Sequence, residues 1–115
     1  MKLQAEMRIK SFVFNPFQEN TYVLYDETRE CVIIDPGCYE AEEKNELDSF
    51  IRQNRLKVQM LLNTHCHIDH VLGNYFVKEN YKVKLYLHKI EEPYLRAVST
   101  YASNYGIVKY ESATP

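Results

Sequence analysis

The first third of the chain alternates between apolar and polar residues, which is the pattern of β-strands with one buried face. Arg8 to Phe14, Thr21 to Tyr25 and Cys31 to Ile34 are rich in β-branched and aromatic residues, and short polar segments separate them. The third run ends at residues 35–37, Asp-Pro-Gly, which suit a tight turn because proline fixes φ and glycine tolerates a left-handed backbone. We therefore predict three antiparallel strands at the start of the chain.

The remainder of the chain alternates between helical and strand patterns. Apolar residues fall near helical spacing from Glu40 to Asn54, and glutamates at its start suit the positive end of a helix dipole. Val58 to Leu62 is a short apolar run, typical of a buried strand. We predict a second helix from about His70 to Glu79, a strand over Lys82 to His88, and a last helix from about Lys89 to Asn104. The order β-β-β-α-β-α-β-α predicts an α/β fold.

The composition narrows the classes of protein to consider. Among 115 residues, 14 basic and 16 acidic side chains give a net charge of -2, which argues against a nucleic-acid partner. The first ten residues lack the apolar run of a secretory signal, and no stretch approaches the roughly 20 apolar residues of a membrane helix. Three cysteines are an odd number at spacings that suggest no disulfide framework. We expect a single cytoplasmic unit over residues 1–115, with no membrane partner.

Candidate chemistry is concentrated in residues 63–74, NTHCHIDHVLGN, directly after the predicted buried strand. In an extended segment, His65 and His67 leave the backbone on the same side and can converge on one ion. The chain then turns toward helix, which would aim Asp69 and His70 at a second ion. Imidazole and carboxylate suit zinc, with iron or manganese as alternatives, and two such ions can share a hydroxide that acts as the nucleophile. A polar turn without function is the alternative, but four ligand-type groups within six residues argue against it.

Three segments resemble one known family. THCHIDH at residues 64–70 resembles the Thr-His-x-His-x-Asp-His signature of the metallo-β-lactamase-fold hydrolases, and VIIDPG at residues 32–37 is similar to the strand and turn that precede it. NPFQENTYVLYD at residues 15–26 resembles the branch that includes the type II glyoxalases, the hydroxyacylglutathione hydrolases. The resemblance implies half of an αββα sandwich, in which one mixed β-sheet carries helices on one face.

The same resemblance implies roles for the cluster residues. His65 and His67 would bind the first metal, and Asp69 and His70 the second, with up to two zinc ions in a complete site. Asp69 would also orient the attacking water or accept its proton, and it is the one catalytic residue that we predict. Asp35 would support the ligand loop, a structural role that we favour over a catalytic one.

The resemblance also implies ligands that have no counterpart here. Family members are longer, and their second half supplies two further histidines and a bridging aspartate, so residues 1–115 would be the N-terminal portion of the domain. His88 is the histidine outside the cluster, and we interpret it as a polar residue at a strand end. A catalytic zinc normally has three protein ligands, so we expect weak metal binding and little activity from this chain alone. It would be a fragment, a natural truncation, or a half-domain completed by a missing C-terminal half or by a second copy in a homodimer.

Three functions remain open from the sequence. The first is a metal-dependent hydrolase that cleaves a small-molecule thioester or ester by attack of metal-bound hydroxide. The second is a single-iron enzyme that oxidises sulfur, as persulfide dioxygenases of this fold do. The third is a non-catalytic or partner-completed half-domain. For Tyr94, Tyr101 and Tyr105 we favour packing in the core or an interface over a binding surface, and we interpret Cys66 as a packing residue.

Overall fold

A computed structural model describes residues 6–115 and contains one mixed β-sheet. The strands and helices, in chain order, are β1 (Arg8–Phe14), β2 (Glu19–Tyr25), β3 (Glu30–Ile34), α1 (Ala41–Gln53), β4 (Lys57–Leu62), α2 (Ile68–Val71), α3 (Asn74–Tyr81), β5 (Leu85–Tyr86) and α4 (Glu92–Tyr101). Short 3-10 turns precede and follow α4, at Lys89–Glu91 and Ala102–Tyr105. The strands lie side by side in sequence order, antiparallel from β1 to β3 and parallel from β3 to β5. The predicted fold class is confirmed.

The two faces of the sheet differ in what covers them. One face is buried against the helices, and its side chains form the core with apolar residues of all the longer helices. Alternation along the strands directs other apolar residues to the opposite face, where Ile9 and Val13 are 65% and 63% exposed. Buried residues of the helix-covered face include Phe12, Phe14, Val23, Ile33 and Leu61; exposed apolar residues of the opposite face include Ile9, Val13, Tyr22 and Tyr86. The open face is therefore unusually apolar for a surface in contact with water.

Several predicted boundaries were wrong. The helix predicted from His70 to Glu79 is two helices, because the chain bends at Gly73, whose N–H donates to the Pro36 carbonyl at 2.7 Å. A Cβ on Gly73 would lie 2.5 Å from Cys38 Sγ, so this close approach requires glycine. The strand predicted over residues 82–88 is reduced to β5, because Lys82 ends α3 in a left-handed conformation. The last predicted helix is α4 with a 3-10 turn at each end.

The parallel pairing of β3 with β4 brings two turns together. Ile34 lies opposite Leu62 in the register, so the turn that begins at Asp35 and the histidine-rich loop leave the same edge of the sheet. The left-handed residue of the first turn is Asp35, with φ 52°, and not the glycine that we expected there. Gly37 is required for space, since a Cβ would lie 2.6 Å from the Asp69 carbonyl oxygen. Within residues 6–115 no helix combines the length and apolarity needed to cross a membrane.

Candidate metal centre

Two histidines and one carboxylate converge at the carboxyl ends of β3 and β4. One ligand atom from each of Asp35, His65 and His70 lies within 4.8 Å of the others. The rings of His65 and His70 are 3.9 Å apart between centroids and partly exposed, whereas Asp35 is buried. This is the edge of an α/β sheet at which ligands generally bind.

The other two predicted site residues lie beside this group. The exposed ring of His67 is 4.8 Å from that of His65 and nearly perpendicular to it. Asp69 Oδ2 is 3.4 Å from His70 Nε2. All four predicted residues are therefore in one place, although the tightest grouping joins His65 with His70 rather than with His67. The division of the four ligands into two metal-binding pairs stays a prediction.

The Asp35 side chain contacts the backbone next to His65 and the ring of His70. Its Oδ2 lies 3.0 Å from His70 Nδ1, and its Oδ1 accepts a hydrogen bond of 2.7 Å from the backbone N–H of Thr64. The Thr64 hydroxyl also donates to Asp35 Oδ2 and lies 3.1 Å from His65 Nδ1. An N–H on His70 Nδ1 would donate to Asp35 Oδ2, which would leave Nε2 of that ring as its ligand atom. The supporting role of Asp35 stays a prediction, because its carboxylate also belongs to the group that could hold a metal.

Glu19, a buried carboxyl beside His70, was not among the predicted site residues. Its side chain lies in the inward register of β2, where Glu19, Thr21 and Val23 are all buried, and the residue is 4% exposed. Oε1 accepts from the Thr21 hydroxyl at 2.9 Å, while Oε2 has no hydrogen-bond partner in the described part of the protein and lies 3.5 Å from His70 Nδ1. The inward register of β2 was the available signal, because a strand with one buried face places alternate residues in the core.

Burial dominates the electrostatics of Glu19. Burial raises the pKa of this carboxyl to about 9. The hydrogen bond from Thr21 lowers the pKa, and the negative charges of Asp35 and Asp69 raise it further. The carboxyl is therefore mostly protonated at neutral pH in the protein without metal.

Two polar side chains hold the histidine loop from outside the cluster. Glu91 Oε1 accepts a 2.8 Å hydrogen bond from the backbone N–H of Cys66, midway between His65 and His67. The Asn15 amide donates to the Asp69 carbonyl at 2.9 Å and to the Gly37 carbonyl at 3.0 Å, which ties both turns to the β1–β2 loop. Neither residue was predicted as part of the site.

Cys66 has the packing position expected of it, whereas His88 lies beyond the end of β5 and precedes a 3-10 turn. Cys66 is buried, and burial raises the pKa of its thiol to about 12, so it packs as a neutral group. His88 is exposed, and its Nδ1 accepts from the N–H of Ile90 at the start of a 3-10 turn.

The donor set fits a divalent transition metal. Imidazole nitrogens and carboxylate oxygens are ligands for zinc, iron and manganese alike. Three such groups, from Asp35, His65 and His70, already converge. Asp35, His65 and His70 form the tightest group that could hold a metal, and His67 and Asp69 lie beside them. Which of these five residues are ligands stays a prediction.

The fold and this group of side chains are those of a family of metal-dependent enzymes. The chain belongs to the metallo-β-lactamase superfamily, whose family model matches residues 14–104. This confirms the resemblance drawn from the histidine motif.

Individual relatives agree with that membership. The chain is 30% identical over 93 residues to "Probable metallo-hydrolase YqgX" of Bacillus subtilis, covering 81% of this chain and 42% of the relative. It is 26% identical over 110 residues to hydroxyacylglutathione hydrolase GloC of Haemophilus influenzae, and the match covers 95% of this chain and 50% of that relative. A shorter match of 54 residues is 44% identical to mitochondrial persulfide dioxygenase ETHE1 of Mus musculus, and it covers 46% of this chain and 20% of that relative. The chain thus spans at most about half the length of these curated relatives.

Solved structures share this fold, and the match again covers about half of each of those longer chains. BLEG-1 B3 metallo-beta-lactamase superposes with a TM-score of 0.78 at 29% identity, covering 94% of this chain and 50% of that one. TTHA1623, solved in a di-iron-bound form, superposes with a TM-score of 0.77 at 25% identity, covering 92% and 51%.

Proposed function

We propose that this chain carries the metal-binding half of a hydrolase that cleaves a small-molecule thioester or ester. The observation that carries the proposal is the convergence of His65, His70 and Asp35, with His67 and Asp69 beside them, where two parallel strands end. The similarity to a hydroxyacylglutathione hydrolase and to a probable metallo-hydrolase supports this reaction class.

In this proposal each cluster residue has one task. His65 and His67 bind a first zinc ion, and Asp69 and His70 bind a second, with iron or manganese as alternatives. When bound, such ions polarise a carbonyl oxygen and lower the pKa of water. Asp35 accepts from His70 Nδ1 and so directs Nε2 of that ring outward. The partly exposed Asp69 carboxylate, 3.4 Å from His70 Nε2, orients the attacking water or accepts its proton.

The proposed site needs further ligands and a cover for the open sheet face. A catalytic zinc normally has three protein ligands, and His65 with His67 supply two. We propose that either additional residues of the same polypeptide or a second copy of this chain supplies the rest. For a second copy, light scattering on the purified chain is expected to give a stable dimer, and a monodisperse monomer would exclude it.

Metal binding and hydrolysis test the proposal together. Zinc affinity is measured by competition with a chromophoric chelator, and hydrolysis is followed with a hydroxyacylglutathione thioester, using protein from the natural reading frame. His65→Ala and His67→Ala should each weaken zinc binding at least about tenfold, and Asp69→Asn should abolish hydrolysis. His88→Ala is the matched control, since His88 is an exposed histidine outside the cluster. Zinc affinities equal to that of His88→Ala would contradict the proposal. Zinc binding without hydrolysis at any zinc concentration would favour the non-catalytic half-domain.

A persulfide dioxygenase is the second candidate, because the local identity to ETHE1 reaches 44% over 54 residues. Iron-loaded protein would then consume oxygen in the presence of glutathione persulfide, and zinc-loaded protein would not. Thioester hydrolysis by the zinc form without oxygen consumption by the iron form excludes this candidate.

We also propose a cytoplasmic location, supported by the absence of disulfides among Cys31, Cys38 and Cys66, which are all free and buried. Cell fractionation tests it, and recovery in a secreted fraction would refute it.

A further inference from the structure

An aromatic groove opens beside the candidate metal centre. It has a volume of about 480 Å³, and His67 and Asp69 lie along it. Its apolar lining comes from Phe17 in the β1–β2 loop, Tyr101 at the end of α4 and Tyr105 in the following 3-10 turn. We call this site the aromatic groove.

The three rings form a continuous set of edge-to-face contacts. The centroids of Phe17 and Tyr105 are 5.9 Å apart with an interplanar angle of 69°, and those of Tyr101 and Tyr105 are 5.8 Å apart at 75°. Tyr105 is nevertheless 58% exposed and Phe17 39% exposed. The rings therefore support one another and still present apolar surface to water, which is typical of a binding site. Tyr101 also packs against the core, as expected, whereas Tyr105 is more exposed than the packing role predicted.

The side chains that line the aromatic groove favour an uncharged ligand over a negatively charged one. Among the described residues, no lysine or arginine lines the groove, and Asp69, at the end next to the proposed metal site, is its acidic side chain. A negatively charged group held against Phe17 and Tyr105, away from that metal site, would therefore have no lysine or arginine to pair with. Burial raises the pKa of the Tyr101 hydroxyl, so this group also stays neutral at physiological pH. An uncharged aromatic or apolar group fits these surroundings.

We propose that the aromatic groove binds an uncharged aromatic or apolar acyl group of the thioester or ester substrate. The acyl carbonyl then lies toward His67 and Asp69, and the ring or chain lies against Phe17 and Tyr105. This inference rests on the proposed function for its substrate class. Binding to the groove can nevertheless be measured without catalysis.

The first experiment measures binding to metal-free protein. Benzamide and acetamide are uncharged probes that differ in the aromatic ring, and each is titrated while backbone amide shifts are followed by NMR. Benzamide should bind more tightly than acetamide and perturb residues around Phe17, Tyr101 and Tyr105. Tyr105→Ala should weaken benzamide binding about three- to tenfold, the value of one aromatic contact, whereas Tyr105→Phe should retain it.

Tyr94→Ala is the matched control for this experiment. Tyr94 lies on α4, is 58% exposed like Tyr105, and is not part of the groove. It should bind benzamide as the unaltered protein does. Equal loss in Tyr94→Ala and Tyr105→Ala, or shift changes that map to another surface, would overturn the proposal. The far-ultraviolet circular dichroism of each variant shows that it is folded.

The second experiment separates the groove from the reaction. Benzoyl and acetyl thioesters of N-acetylcysteamine share one uncharged thiol, so the ratio of their kcat/KM values reports on the acyl group alone. We expect the benzoyl substrate to be preferred at least about fivefold, and Phe17→Ala or Tyr105→Ala to reduce that preference. Hydrolysis of both thioesters at equal kcat/KM would refute the aromatic groove as the acyl site. If protein from the natural reading frame hydrolyses neither these thioesters nor the hydroxyacylglutathione thioester, the proposed function fails, and the benzamide titration still decides whether the groove binds an aromatic group.

Discussion

The buried carboxyl of Glu19 should make the metal-free protein less stable as the pH rises. Its pKa is about 9 in the folded protein and near 4.5 when exposed. An acid whose pKa is raised by folding binds its proton more tightly in the folded state. Above pH 4.5 the unfolded chain therefore releases this proton first, and the free energy of unfolding falls until the pH passes about 9.

The size of the effect follows from the interval between the two pKa values. Each pH unit between them changes the free energy of unfolding by about 1.4 kcal/mol, so from pH 5 to pH 8 the loss attributable to Glu19 is about 4 kcal/mol. Glu19→Gln keeps the shape of the side chain and removes the titrating group. The variant should therefore gain stability relative to the unaltered protein by about that amount over the same interval.

Urea denaturation at pH 5 and pH 8 measures this difference, with chelator present and unfolding followed by circular dichroism. Glu46→Gln is the control, because Glu46 lies exposed on α1, and it should follow the unaltered protein at both pH values. A stability difference between Glu19→Gln and the unaltered protein that does not change with pH would refute the reasoning. It would mean that the Glu19 carboxyl is not held away from water.

Three further predictions concern the supports of the site. Asp35→Asn should weaken zinc binding about 10- to 100-fold in the chelator competition assay, because it removes the charged acceptor behind a ligating imidazole; an unchanged affinity would deny Asp35 its supporting role. Glu91→Ala should lower the free energy of unfolding by about 1–3 kcal/mol, since it leaves the N–H of Cys66 without its acceptor, and a variant as stable as the unaltered protein would contradict this. Gly73→Ala should cost about 1–3 kcal/mol by overpacking against Cys38, measured by the same denaturation, and full stability would show that the two turns can separate.

The elements that were predicted correctly are those whose signal is local. Alternation within Arg8–Phe14 and helical spacing within Ala41–Gln53 each arise from a run of neighbouring residues, and both elements formed. The ligand cluster was found for the same reason, since four ligand-type residues lie within six positions. The strand predicted over residues 82–88 formed only at Leu85–Tyr86, because α3 extends to Tyr81 and Lys82 is left-handed.

The supports of the site had no local signal. The hydrogen bond from Asn15 to the Asp69 carbonyl joins residues 54 positions apart, and that from Cys66 to Glu91 spans 25. Glu19 is the exception, and it was missed because the predicted strand began at Thr21. With β2 beginning at Glu19, the alternation that buries Thr21 and Val23 also directs Glu19 into the core. The hydrogen bonds of Asn15 and Glu91 depend on tertiary structure, so the residue pattern within a single segment does not predict them.

The parallel pairing of β3 with β4 also makes the metal centre depend on an intact fold. Asp35 and Thr64 are 29 positions apart and meet only after α1 has carried the chain back to the same edge of the sheet. In the unfolded chain these two segments are far apart, so a metal held where they meet would bind the folded protein more tightly than the unfolded chain. Metal binding would therefore raise the free energy of unfolding of the whole sheet.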